Sequence, residues 1–228
     1  MSKIEWTEQT WNPITGCTKV SAGCKNCYAE VIANRFWKDR KFTDIQFHED
    51  RLSEPLRRKK PTMYFVNSMS DLFHESIHGQ NIINVLDVMK EAKHHTFQVL
   101  TKRPERMRAI LDSYCEDLKN VWFGISIENQ AMASERLEAF KNTKAKIKFI
   151  SYEPALTGVD WTGYEFIGWI IAGGESGAKK RPNDLQWFRN TRDWAKKNNI
   201  AFFMKQIDKV QEIPEDLMIR EYPLQNSL

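Results

Sequence analysis

Three cysteines stand close together early in the chain: Cys17, Cys24 and Cys27, with six and then two residues between them. They fall in a stretch, Thr15 to Asn26, rich in Gly, Ser, Thr and Lys, which is the composition of a loop. An amphipathic run beginning at Tyr28 follows. Three thiols on one short loop that opens into a helix form a metal-binding constellation, one ligand short of a closed tetrahedral site. An iron–sulfur cluster or a zinc ion held by three thiolates keeps a coordination position free for a ligand. The gap of two before Cys27 suits structural zinc equally well, with His48 or His74 as the fourth ligand. The fourth cysteine, Cys115, lies beside Tyr114 on an expected helical stripe and reads as a half-buried helix residue.

Composition sets bounds on what carries that loop. The chain has 228 residues, 41% hydrophobic and 28% charged, which is ordinary for a globular protein and enough for a single α/β domain over 1–228. Four cysteines in this length are no disulfide scaffold, and in a reducing compartment their clustering favours metal or redox chemistry. No apolar run is long enough to span a bilayer and no signal-peptide pattern opens the chain. The expectation is a cytoplasmic protein with no membrane partner. The net charge of +4 is mild. Basic clusters at Arg57 to Lys60, Lys102-Arg103, Lys141 to Lys148, Lys179 to Arg181 and Lys196-Lys197 are suited to a phosphate backbone. The plainer reading is a set of solvated helix ends and loops.

The elements that must position the thiols come in a rhythm. Gln9 to Gly16 reads as a strand broken by Asn12-Pro13, and a helix is expected from Tyr28 to Lys38 with Val31, Ile32, Arg35 and Phe36 on one stripe. Short apolar runs without alternation, as in strands buried on both faces, follow at 62–67, 96–100, 121–127, 147–150, 166–172 and 201–204. Helical patterns separate most of them, at 81–93, 104–118, 130–141 and 184–197. The connection 155–165 is short, carries two glycines and is expected to lack a full helix. Residues 1–8 are expected to pack loosely, and about 207–228 to form a surface tail. Seven strands alternating with helices predict a parallel sheet closed, or nearly closed, into a (β/α) barrel. A doubly wound sheet is the alternative.

In such a barrel, ligands meet the C-terminal ends of the strands. Those ends supply the cysteine loop, Asn67-Ser68 with Asp71, Thr101-Lys102-Arg103, Ser126 and Glu128, Ser151 and Glu153, Gly173-Gly174-Glu175, and Lys205-Gln206. Side chains two apart on a strand face one way, so Ser126 with Glu128 and Ser151 with Glu153 are expected to point together. Such a ring suits a polar zwitterion. Lys102 or Arg103 would pair a carboxylate, a glutamate would accept from an ammonium or ribose hydroxyls, and Gly173-Gly174 would let backbone approach a flat ring. S-adenosylmethionine has all these parts, and its amino and carboxylate groups would fill the open position of a three-cysteine cluster. Lys205 is a candidate proton donor or carboxylate partner.

Five segments carry a resemblance: TWNPITGCTKVSAGCKNCYAE, NSMSDLFHE, LTKRPERM, VWFGISIENQ with FISYEPAL, and WIIAGGESG followed by RP and FFMKQ. From about Ile4 to Gln206 the chain resembles the phage and prophage three-Cys-motif proteins, a family of unknown function grouped with the radical SAM enzymes. The resemblance implies a radical-SAM-like barrel with a [4Fe–4S] cluster on Cys17, Cys24 and Cys27. It also implies reductive cleavage of S-adenosylmethionine to a 5′-deoxyadenosyl radical, and an external electron donor. A nucleic acid or nucleotide is the candidate substrate. The alternative is a zinc- or cluster-stapled binding protein, contacting nucleic acid or a protein partner without catalysis. The spacing departs from ordinary radical SAM enzymes, whose cysteines are separated by three and then two residues with an aromatic before the last. Here Asn26 precedes Cys27, and Tyr28 follows it. Gly173-Gly174-Glu175 also comes late in the chain, where typical members carry such a triplet on an early strand.

Overall fold

In a computed structural model, which describes residues 4–223, the elements follow the expected rhythm. The strands are β1 (Gln9–Trp11), β2 (Ile14–Thr15), β3 (Gln46–Phe47), β4 (Met63–Val66), β5 (Thr96–Thr101), β6 (Val121–Ser126), β7 (Ile147–Tyr152), β8 (Trp169–Gly173) and β9 (Ala201–Gln206). The helices are α1 (Tyr28–Phe36), α2 (Glu54–Arg57), α3 (Gly79–Glu91), α4 (Pro104–Ser113), α5 (Gln130–Lys141) and α6 (Leu185–Lys197). Seven strands form one sheet in the order β1-β4-β5-β6-β7-β8-β9, every neighbouring pair parallel. β1 and β9 are edges that do not pair with each other, so the barrel is partial.

Alternation explains the two cores. Odd positions of β5 and β6 (Phe97, Val99, Val121, Phe123, Ile125), with Ile150, Tyr152, Ile170, Ala172, Phe202 and Met204, pack outward under the helices. The intervening positions Phe65, Trp122, Phe149, Trp169, Ile171 and Phe203 gather on the other face around Trp6. Rings from β4, β7 and β8 lie 4.6, 6.4 and 6.1 Å from Trp6. Strands this far apart in the sheet reach one side chain only because the sheet curls round it. Trp6 therefore plugs the concave face, and the N-terminal segment from Ile4 is not loosely packed as expected. Gly124 serves the same packing, since a Cβ there would stand 2.5 Å from the Phe149 ring.

Other departures have local causes. Asn12-Pro13 does break the first strand, but the second half changes sheets: β2 pairs antiparallel with β3. The connection from Glu153 to Gly168 has no helix, as expected. Trp161 and Tyr164 cover the strands in its place, anchored by hydrogen bonds to Thr191 Oγ1 (3.0 Å) and the Ala133 carbonyl (2.7 Å). α4 stops at Ser113 and does not reach Leu118, which leaves Cys115 exposed in a loop. On α6 the fully buried ring is Phe188, while Trp187 and Trp194 pack half-buried against the core. The expected tail is also tied down. Leu217 is buried and the Met204 amide donates to the Ile219 carbonyl at 2.8 Å, so the chain returns along the β9 edge. The remainder of that tail, 224–228, lies outside the described residues. No helix among the described residues is long and apolar enough to cross a membrane.

Candidate functional site

Above the aromatic floor the concave face opens into a cavity of about 490 Å³ at the C-terminal ends of the strands. Lys102, Ser126, Ser151, Glu153 and Lys205 line its walls, and Gly23, Asn26, Cys27 and Tyr28 of the cysteine loop and α1 roof it. Strand alternation sorts the expected residues. Lys102, Ser126, Ser151, Glu153 and Lys205 share the inward parity with Leu100, Phe149 and Phe203; Thr101 and Arg103 have the opposite parity and point under the helices.

Asp71, Thr101 and Arg103 are accordingly no part of the cavity wall. Asp71 is buried and accepts from Thr101 Oγ1 (2.7 Å), the amides of Phe73 and Lys102 (3.0 and 3.1 Å) and Arg103 Nη1 (2.9 Å). Arg103 also pairs with Glu75 and donates to Thr18 Oγ1 (3.2 Å) and Cys17 Sγ (3.9 Å). Of the two groups expected to pair a ligand carboxylate, Lys102 lines the cavity, whereas Arg103 braces the cysteine loop from behind. Asn67 is a buried turn residue in the left-handed region, φ 59°, whose Oδ1 accepts from the Ile14 amide. Ser68 lines the cavity, and its carbonyl accepts from the Tyr28 hydroxyl at 2.6 Å.

The three glutamates, alike in sequence, take three positions. Glu153 faces the cavity with Ser151, as expected, paired with Lys205 at 2.6 Å. Glu128 does not follow Ser126 inward. β6 ends at Ser126, and Glu128 turns to Arg136 of α5 (3.1 Å) and to the Gly23 amide (3.2 Å), fully buried. Glu175 pairs with Arg181 at 2.6 Å and accepts from Asn26 Nδ2 at 2.9 Å. Burial opposes its ionisation, but Arg181 and Asn26 hold its carboxyl below the usual range. Glu128 and Glu175 thus clasp the cysteine loop on both sides of Cys24, whereas both were expected to touch a cofactor. Gly174 lines the cavity and Gly173 does not. A Cβ on Gly174 would lie 2.0 Å from the Ile207 carbonyl oxygen, so this glycine serves loop packing first.

Arg136, Asn26 and Lys209 belong to the site without having been expected there, and Asn26 and Lys209 line the cavity; Arg181, expected only within a basic cluster, pairs with Glu175. Arg136 left a signal, as a charge on the same helical face as Ala133, Leu137 and Phe140. The others sit on loops, where no periodicity marks them.

All three loop thiols are free and half-buried. Burial, then Asp71, pushes the Cys17 thiol up to about 11 against the pull of Arg103. Burial acts the same way on Cys24, but Lys102 and the backbone around Val20 and Ser21 bring it below its ordinary value. The zinc alternative finds no fourth ligand where it was sought. His48 Nε2 is 2.6 Å from Thr15 Oγ1, and His74 Nε2 is 2.8 Å from Thr18 Oγ1. Among the described residues no three His, Cys, Asp or Glu side chains gather round one ion position. Thiolates of a four-iron cluster each bind a different iron, so they need not converge on a point.

The structure also divides the basic clusters. Arg57 to Lys60, Lys141 to Lys148 and Lys196-Lys197 precede β4, β7 and β9 or run into them, and so lie at the N-terminal end of the sheet. Lys102-Arg103 and Lys179 to Arg181 follow β5 and β8 and lie at the cavity end.

A family model matches residues 1–219. The chain belongs to that family, described as a protein of unknown function (DUF5131). No curated protein matches this DUF5131 chain. Among solved structures it is similar to a spore photoproduct lyase carrying a tyrosine-to-phenylalanine substitution. The TM-score is 0.51 at 12% identity, over 85% of this chain and 75% of that one. At that identity the likeness concerns the fold alone, and it agrees with the parallel partial barrel seen here.

Proposed function

We propose that this DUF5131 protein is an iron–sulfur enzyme of radical-SAM type, with a [4Fe–4S] cluster on Cys17, Cys24 and Cys27 and S-adenosylmethionine in the cavity beneath them. One observation carries the reading: a loop of three free thiols, with Cys27 in the wall, roofs a cavity at the strand ends of a parallel partial barrel, beside a lysine with no ion-pair partner among the described residues. Among the described residues, the Lys102 ammonium has neither a carboxylate nor a hydrogen-bond acceptor, and it stands close enough to Cys24 to lower its thiol. When bound, the cluster supplies one-electron reductive cleavage of S-adenosylmethionine.

The chain's own residues have distinct tasks. Lys102 binds the ligand's carboxylate as a point charge. Glu153, held by Lys205, accepts from an ammonium or from ribose hydroxyls, and the Ser126 and Ser151 hydroxyls complete the polar wall. Trp6, Phe65 and Leu100 exclude water from the floor. Arg103 donates toward Cys17 Sγ and so favours the thiolate that burial disfavours. Lys205 Nζ, which holds Glu153, is the candidate proton donor of the wall. The substrate is a nucleic acid or nucleotide, and the electron comes from an external donor.

The test is anaerobic purification with iron and sulfide analysis, and electron paramagnetic resonance of the reduced protein with and without S-adenosylmethionine. Iron and sulfide of about four per chain, with a spectrum that changes on adding the ligand, support the reading. Zinc without sulfide, or cleavage that survives Cys17→Ala with the cluster lost, overturns it.

A further inference from the structure

The helix that opens at Cys27 faces the wrong way for a core helix. α1 buries only Ala29 and Ala33. Its larger side chains point to solvent, with Val31 and Phe36 64% and 65% exposed. Eight large hydrophobic residues are exposed among the described residues, and five of them (Val20, Tyr28, Val31, Ile32, Phe36) lie on the cysteine loop and α1. Such concentration marks an interaction surface. The face is continuous with the cavity, since Tyr28 and Ile32 also line it. Tyr28, Ile32 and Phe36 are spaced four apart, a stripe of about 12 Å along the helix at 1.5 Å per residue.

Charge says what lies on that stripe. The acids around the mouth are already neutralised: Glu153 by Lys205, Glu175 by Arg181, Asp208 by Lys180 and Glu30 by Lys19. Lys25, Lys102, Lys179 and Lys209 have no ion-pair or hydrogen-bond partner for their ammonium groups among the described residues. Lys25 lies on the cysteine loop, next to Asn26, whose side chain bonds the Lys179 carbonyl at 2.9 Å. Lys209 stands on the cavity rim. Uncompensated cations thus stand on the cavity wall (Lys102, Lys209) and on the loops flanking it (Lys25, Lys179), beside an apolar stripe with an aromatic ring at each end. A second copy of the chain would set these cations against themselves. A polyanion that carries flat apolar groups satisfies both features.

We propose that the substrate of this site is a single strand of nucleic acid. It lies across α1 with bases against Tyr28, Ile32 and Phe36 and phosphates on Lys25, Lys179 and Lys209, and it presents one nucleotide to the cavity mouth. At 3.4 Å per stacked nucleotide the stripe holds roughly three to four of them. This deepens the function proposed above and rests on it for the reaction, not for the binding.

The probe is a fluorescein-labelled single-stranded oligonucleotide of about 12 nucleotides. Its fluorescence anisotropy is read with the anaerobically purified protein between about 50 and 200 mM salt. Affinity is expected to fall linearly in log–log terms with salt. Combining Lys25→Ala, Lys179→Ala and Lys209→Ala makes the slope shallower by about 2, at about 0.7 per single-strand phosphate contact. Phe36→Ala weakens binding by roughly 5- to 150-fold, the range for one lost base stack. All four residues are exposed, so the variants are expected to keep the wild-type unfolding midpoint. Absent or salt-independent binding overturns the proposal, as does a triple lysine variant that binds like wild type. A polyglutamate peptide that binds as tightly, with the same dependence on Phe36, also overturns it and assigns the face to an acidic protein. Strand binding by a protein without iron leaves this inference standing and removes the cluster chemistry; a cluster that responds to S-adenosylmethionine without strand binding does the reverse.

Discussion

Glu128→Ala separates a clasp from a ligand contact. Glu128 is 0% exposed and its partner Arg136 2%, so the pair is out of water. Arg136 Nη1 bonds the Ser126 carbonyl at 2.6 Å and Glu128 at 3.1 Å, and its Nε has no partner. Removing the carboxylate leaves a buried guanidinium held by one carbonyl and the Met132 thioether sulfur, with no counter-charge, and breaking such a pair from one side costs about 3–5 kcal/mol. The Gly23 amide also loses its acceptor, which adds about 1 kcal/mol. With an m-value of about 2 kcal/mol/M in urea, the unfolding midpoint falls by about 2–3 M. Glu128→Leu with Arg136→Met removes both charges, and most of the stability returns because no uncompensated ion remains. Urea unfolding followed by circular dichroism measures this, and iron retained per chain reports the loop held by Gly23. A single-variant shift below about 0.5 M, or a double variant worse than the single, refutes the argument. Unchanged stability with weakened S-adenosylmethionine binding would return Glu128 to the cavity wall.

Three further outcomes follow from the same geometry. Arg103 holds the Glu75 carboxyl down at about 2, so this ion pair contributes fully above the unfolded value near 4.5 and is lost as pH falls toward 2. Unfolding midpoints measured between those pH values should fall more steeply for wild type than for Glu75→Gln, and parallel curves would contradict the pairing. In the metal-free protein, iodoacetamide at mildly alkaline pH should alkylate Cys24 well before Cys17, whose thiol is pushed up to about 11. Lys102→Ala should slow Cys24, with peptide mass spectrometry as the readout. Gly174→Ala places a methyl against the Ile207 carbonyl and Asn183 Nδ2, and should cost about 1–3 kcal/mol, read as a lowered Tm.

Much of the architecture was legible because it rests on local pattern. Apolar runs such as Met63–Val66 and Trp169–Gly173, separated by helical stripes, require strands buried on both faces and hence a parallel sheet. The helix-less connection before β8 and the break at Asn12-Pro13 could be read from Gly and Pro alone. Within a strand, alternation is equally local, so Ser151 and Glu153 were correctly expected to face together.

Past the last paired residue that inference lapses, and tertiary contacts decided the rest. Glu128 lies two residues beyond Ser126 but outside β6, so its direction was set by Arg136, ten residues along the chain from Ser126, and by the cysteine loop. Arg103 was turned from the cavity by Asp71, and Trp6 was drawn into the barrel by rings from three strands. The outward face of α1 is the clearest case. An amphipathic stripe states that a helix has an apolar side, and only packing states which side meets the core. Ala29 and Ala33, small enough for close approach, took the buried side and left Tyr28, Ile32 and Phe36 beside the cavity. By itself the sequence determined the strands, their order of appearance and the three thiols, because each depends on neighbours along the chain. Which charges face the cavity and which only hold its roof depends on partners far apart in sequence, and the fold alone brings those together.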